Sequence, residues 1–473
     1  MIFIQIPGTY TDERRYILAV MFNEFLGLDI QVQVSDRQDV RITVDSVREL
    51  VVADGLFAVP SNQWLQHASL PKRPLKTWNL ATTRLTAITV NPQIPLIYGD
   101  DPSTSNFFRL SEERIHLGLD IFGSAFFMLT CYEEMVKGDR DQHDRFPAKS
   151  SLAYQERFLE RPIVNEYLEI LWWCLKYLWS GLERKSRQFR VCLTHDVDNP
   201  FELTPFQMKR WLRRLGGHLV LRRDVGLASS LAVNGCFAAL GLPHQDGLDT
   251  FDWVMDQSES IRVKSAFYFI CGGNSQFDPC YDVNSLAIRK LIRQILSRGH
   301  EVGLHPSYDT YIRLDKLKIE AYTLQCILSE EGAFTGEIGG RQHFLRWKAP
   351  DTWQYWEDSG LAYDSSLGYS EHVGFRCGTC YEYPVFNLKT GQGLKLRERP
   401  LTIMECSMLR SSSMGLSNDK AWLEVKKLID VCRVFDGDFT LLWHNSELVT
   451  GKSRTLYKRV ITHLENSFNI HSQ

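Results

Sequence analysis

The chain has 473 residues, with 54 basic and 57 acidic side chains and a formal net charge of −3. That length exceeds what one hydrophobic core usually organises, so two domains are expected. The balanced charge and a pI near 6.5 leave no electrostatic footprint for a nucleic-acid partner.

From the N-terminus, residues 1–150 read as an α/β domain of unassigned role. Val40-Arg41-Ile42-Thr43-Val44 and Thr86-Ala87-Ile88-Thr89-Val90 alternate like strands. Residues 113–137 carry Ile115, Leu117, Leu119, Ile121, Phe122, Phe126 and Phe127, which predicts a helix with a broad apolar face. The run from Asp139 to Arg145 is charged and reads as a solvated loop. Residues 151–187 form a helical connector whose aromatic-rich helix, 163–181 with Trp172, Trp173, Tyr177 and Trp179, is expected to dock on the domain that follows.

From 188 to 473 a second domain is expected. Strand-like runs fall at 189–195, 265–271, 301–305, 343–347, 361–364, 401–406 and 439–443, with amphipathic helices at 283–298, 312–331 and 418–434. In 283–298, Leu286, Ile288, Leu291, Ile292, Ile295 and Leu296 recur at helical spacing, interleaved with Arg289, Lys290 and Arg293. Strands alternating with helices of this length predict parallel βαβ units and an α/β fold. Residues 202–262 read as a helical insertion opening on Lys209-Arg210-Trp211-Leu212-Arg213-Arg214. The favoured reading is a lid over one edge of the domain. The other is peripheral contact with anionic lipid through 202–225.

Chemistry is concentrated where strands stop. Val191-Cys192-Leu193 runs into Thr194-His195-Asp196-Val197-Asp198-Asn199-Pro200, a buried strand ending on two carboxylates and a breaker. Residues two apart on an extended backbone face the same side. A carboxylate pair so placed is costly to bury unless a cation or a reaction uses it. His195 faces the other way and reads as structural. Gly299-His300-Glu301-Val302-Gly303-Leu304-His305-Pro306-Ser307-Tyr308-Asp309 has the same shape, and Phe439-Thr440-Leu441-Leu442-Trp443-His444-Asn445 is another strand ending on a histidine. Cys377-Gly378-Thr379-Cys380 lacks the second pair a structural zinc site needs and reads as two thiols in a tight turn.

These segments, in this order from about 188 to 450, resemble the polysaccharide deacetylases of carbohydrate esterase family four. The resemblance implies a distorted (β/α) barrel and a base, Asp196, beside a metal-ligating Asp198. The spaced Asp-x-Asp form is similar to the subgroup holding some peptidoglycan deacetylases and allantoinase-like enzymes. The second motif then gives His305 and Asp309 as further ligands of a divalent metal, zinc first. Leu442-Trp443-His444 gives the general acid, His444. The family's Arg motif matches Arg346 in Arg346-Trp347-Lys348-Ala349-Pro350, with Arg341 as a rival, and its role is to hold the base carboxylate.

The expected activity is metal-dependent hydrolysis of a carbon–nitrogen amide bond, most simply de-N-acetylation of an amino sugar. Eleven scattered cysteines, a start without a secretory signal and no bilayer-length apolar run lead to an expected cytoplasmic location. The carbohydrate substrate would then be a surface-polysaccharide or other glycan precursor, lipid- or nucleotide-linked. The alternatives are a hydrolase of a small cyclic or formylated amide, and a degenerate barrel that binds glycan as a scaffold.

Overall fold

The computed structural model describes residues 1–201, 246–279, 281–333 and 336–469. The expected lipid-contacting stretch, 202–225, and most of the expected insertion lie outside them. The chain divides into two compact units. One comprises Met1–Arg190, Phe344–Gly415 and Lys427–Thr440; the other comprises Val191–His343, Leu416–Lys426 and Leu441–Gln473. The expected connector thus lies wholly inside the first unit, which also takes in residues 344–415 from the expected second domain.

In the first unit a six-stranded mixed sheet runs Ile30–Val34, Ile2–Ile6, Val40–Thr43, Glu49–Val52, Arg114–Leu117, Phe108–Leu110. Ile2, Ile4 and Ile6 are buried while Phe3 is exposed, the alternation of a sheet with one covered face. Helices Ile121–Leu129 and Ile163–Leu178 pack against each other. The single helix expected over 113–137 is instead a strand, Arg114–Leu117, followed by helices Ile121–Leu129 and Tyr132–Val136. Asp120 separates strand from helix. Its carboxylate accepts the N–H groups of Gly123, Gly55 and Leu56 at 2.7, 2.8 and 2.9 Å, capping the helix start. The expected strand at 86–90 is irregular. Residues 344–415 supply the hairpin Tyr383–Asn387/Gln392–Glu398 and Arg376, whose guanidinium grips buried Glu134 at 2.6 and 2.8 Å.

The second unit is built on parallel strands in the order Gly339–Gly340, Glu301–Leu304, Ser265–Phe269, Arg190–Val197. Ser265–Phe269 is buried at every position, as expected for a strand covered on both faces. Leu441 and Trp443 continue beside the last strand, accepting from Thr194 Oγ1 at 2.9 Å and donating to the Thr194 carbonyl at 3.0 Å respectively. The helices include Leu286–Ser297 and Leu314–Glu330, close to the expected 283–298 and 312–331. Of the expected distorted (β/α) barrel, the described residues show a mixed α/β fold with parallel strands and no closed barrel. One cause is local. The strand expected at 343–347 is a turn, His343–Leu345, with Phe344 and Leu345 at φ 61° and 55°, so the strand stops after Gly340. No described helix is long and apolar enough to cross a membrane.

Candidate metal and acid–base site

All the polar groups of the candidate site sit at the carboxyl ends of the second unit's parallel strands. The strand Arg190–Val197 delivers Asp196, and Asp198 follows one residue beyond its end. Register pairs Asp196 with Tyr268 and Leu304 with Gly340, so Asp196, His305 and Arg341 emerge at one edge. Close approach there depends on glycine. A Cβ on Gly340 would lie 1.8 Å from the Leu304 carbonyl oxygen, and one on Gly303 would lie 2.5 Å from that of Gly339.

Two pairs of residues, each spaced by two, face one another. Asp196 Oδ1 accepts from Arg341 Nη1 at 2.8 Å, both side chains being almost completely buried. Asp198 Oδ1 lies 3.2 Å from His305 Nε2 and 3.6 Å from His343 Nε2. His305 Nε2 is also 3.7 Å from Asp196 Oδ2. His444 Nε2 stands 3.8 Å from the other oxygen of Asp198. The loop carrying His444 is tied down by Asn445, whose amide donates to the carbonyls of Asn199 and Leu248 at 2.9 and 3.1 Å.

Hydrogen bonding fixes the His305 tautomer. Its Nδ1 meets the Arg341 carbonyl at 2.6 Å, so that nitrogen carries a proton and Nε2, facing Asp198, is the atom left to take a second proton or a cation. Burial pushes His305 down, but the charges of Asp196 and Asp198 outweigh it and raise its pKa. Burial likewise would raise Asp198; His343, His305 and His444 reverse this and hold it well below the usual carboxylate range. The cluster is therefore an anionic pocket that stores positive charge.

Ligand atoms of Asp198, His305 and His343 all lie within 4.8 Å of one another. Asp198 Oδ1 is buried and makes no hydrogen bond of good geometry despite the two histidines beside it. One carboxylate and two imidazoles around an oxygen so placed fit a divalent ion, the donor set of many catalytic zinc sites.

Two expected assignments change. The guanidinium on Asp196 belongs to Arg341; Arg346, past the left-handed turn at Phe344 and Leu345, donates Nε to the His143 carbonyl at 2.8 Å. The third member of the candidate ligand group is His343, while Asp309 opens the turn Thr310–Ile312 with its side chain half exposed and 3.5 Å from Lys316 Nζ. The signal for His343 was its spacing from Arg341, the same interval that separates Asp198 from Asp196. His195 lies as expected on the opposite side of its strand, bonded to the Trp443 carbonyl at 2.7 Å and stacked on Phe267. Cys377 and Cys380 are free thiols.

Residues 2–180 match a family of unknown function, DUF7033. No curated protein matches the chain. Among solved structures the chain is similar to a protein from Mycobacterium smegmatis described as a polysaccharide deacetylase, at 16% identity and a TM-score of 0.38, over 59% of this chain and 85% of the other. It is also similar to PuuE allantoinase, at 12% identity and 0.37, over 59% and 85%. A third, described as a polysaccharide deacetylase from Pseudomonas aeruginosa PAO1, gives 12% identity and 0.36, over 66% and 90%.

Proposed function

We propose that this protein is a metal-dependent hydrolase of a carbon–nitrogen amide bond, acting in de-N-acetylation of an amino sugar within a glycan precursor. The observation that carries the reading is the meeting of Asp198, His305 and His343 beside the Asp196–Arg341 pair and His444. Asp198, His305 and His343 would hold the ion, zinc by donor set. A divalent ion supplies Lewis acidity, making water acidic at neutral pH and favouring negative charge on the amide oxygen.

The remaining work falls to side chains. Asp196, held by Arg341, takes the proton of the attacking water. Arg341 also fixes the direction of that carboxylate, because its own backbone is pinned by N–H donation to the Leu304 carbonyl at 3.0 Å. His444, half a site away across Asp198, hands a proton to the amine nitrogen as it leaves. The Asp196-Val197-Asp198 spacing also supports a small cyclic or formylated amide as substrate, and a glycan-binding scaffold without turnover is the remaining reading.

The test is elemental analysis of the full chain and of Asp198→Ala, His305→Ala, His343→Ala and Asp309→Ala, followed by assays for released acetate, formate and ammonia. We expect near-stoichiometric metal in the wild type and in Asp309→Ala, and loss in the other three. Acetate release from N-acetylated sugars supports the deacetylase, whereas formate or ammonia from small amides moves the substrate. A metal-free wild type after reconstitution, or metal retained in all variants, overturns the hydrolase reading.

A further inference from the structure

Asp278 lies behind His343, on the loop that follows the strand Ser265–Phe269. Its side chain is almost completely buried, and its Oδ1 is 3.5 Å from His343 Nδ1. The same oxygen accepts the Tyr308 N–H at 2.7 Å, and Oδ2 accepts the Ser275 N–H at 2.8 Å. Two backbone donors thus lock the carboxylate in one orientation. Glycine makes room for it: a Cβ on Gly273 would fall 2.6 Å from the Asp278 carboxyl and from the Ser307 side chain. On the far edge of the imidazole, Nε2 faces Asp198 Oδ1 at 3.6 Å.

A histidine ring between two carboxylates has a direction. A fixed anion at Nδ1 favours the proton there and leaves the Nε2 lone pair for a ligand. The neighbouring imidazole follows the same rule, since His305 Nδ1 is held by the Arg341 carbonyl and its Nε2 faces the same Asp198 oxygen. The separation of 3.5 Å is a polar contact longer than a formed hydrogen bond. The inference therefore rests on the locked, buried anion and the shared direction of both rings.

We propose that Asp278 is the positioning residue for His343, setting its tautomer and aiming Nε2 at the Asp198 site. The inference deepens the metal-site reading above and rests on it for the zinc measurement alone. Asp278 touches neither substrate nor reacting atoms; it acts through the imidazole. Replacing it by Asn removes the charge and presents a donor where an acceptor stood. Loss of such a partner typically weakens metal affinity by about 10- to 100-fold.

The experiment has two arms on the full-length chain. Zinc alone is titrated against a competing chelator in the wild type, Asp278→Asn and Asp278→Glu. In parallel, long-range proton–nitrogen NMR reads the His343 tautomer of the metal-free protein, with the ring neutral, using His343→Gln for assignment. We expect zinc binding about 10- to 100-fold weaker in Asp278→Asn, and the proton of wild-type His343 on Nδ1, lost from there in the variant. Unchanged zinc affinity in a folded Asp278→Asn, or a wild-type proton resident on Nε2, overturns the proposal. If the wild type takes no zinc, the hydrolase reading fails and the NMR arm alone decides the role of Asp278. Should Asp278→Asn not fold, Asp278→Glu and the wild-type spectrum decide the same question.

Discussion

The Asp196–Arg341 pair gives the sharpest energetic test of the site. Both side chains are excluded from solvent, and Arg341 Nη1 sits 2.8 Å from Asp196 Oδ1. At that distance, with an effective dielectric constant of about 20, two unit charges attract by roughly 6 kcal/mol, much of it spent on desolvation. Replacing Arg341 by Met keeps the volume and leaves the carboxylate stranded, a change that costs about 3–5 kcal/mol. The guanidinium also lies 5.2 Å from the Tyr268 ring centroid, a contact worth about 1 kcal/mol more. The backbone of Arg341, which donates to Leu304 and accepts from His305, survives the substitution. The loss therefore reports on charge. Asp196→Asn in the same chain removes the stranded anion, so the double variant should recover most of it, with a coupling energy of about 3 kcal/mol. Chemical denaturation of wild type, both single variants and the double variant measures this directly. A coupling below about 0.5 kcal/mol, the level of independent sites, would refute the pairing and with it the assignment of Arg341 to the base.

Glu320, buried under the His305 loop, accepts the Ser307 N–H at 2.9 Å, and its carboxyl is pushed up to about 7 by burial, against which the Ser307 hydrogen bonds act. Folding thus favours its protonated form. Its contribution is fully present below its ordinary value of 4.5 and is lost as pH rises to about 7, a fall of about 3 kcal/mol at most. Denaturation midpoints across that window should slope downward in the wild type and flatten in Glu320→Gln; equal slopes would sink the assignment. Gly340→Ala drives a Cβ to within 1.8 Å of a sheet carbonyl, which should cost about 3 kcal/mol or more in thermal and chemical melts; a wild-type melt would contradict that packing. In the first unit, Arg376→Met strands buried Glu134 and should cost about 3–5 kcal/mol, largely restored by Glu134→Gln. Without that coupling in a double-variant cycle, residues 344–415 would not be anchored to the helix Tyr132–Val136 through this pair.

The strands of the second unit could be read from the sequence because their signal is local. Phe267, Tyr268 and Phe269 form a continuous buried run, and each strand that carries the site ends on a polar residue at a breaker or turn. Asp196, Asp198, His305 and His444 stand out for that reason. What failed was the residue whose place depends on where a strand stops. The apolar and aromatic content of 343–347 suggests a strand, but left-handed Phe344 and Leu345 end it early, so the useful segment is the glycine pair at 339–340. Glycine gives no hydrophobic period, and the reason for it, a neighbouring carbonyl 1.8 Å from any Cβ, exists only once the sheet is assembled. Shifting the strand's end from 347 back to 340 makes Arg341, not Arg346, the arginine that meets Asp196 and brings His343, not Asp309, into the candidate ligand group. A similar boundary error merged a strand and two helices over 113–137, because Asp120 reads as a single polar residue in an apolar face until its three backbone partners are seen. Periodicity locates the apolar body of an element, whereas chemistry sits at its end, and the end is set by contacts with a neighbour distant in sequence. At such a site the spacing of polar residues is the better guide: Arg341 and His343 repeat the interval of Asp196 and Asp198, and the structure sets the two pairs face to face.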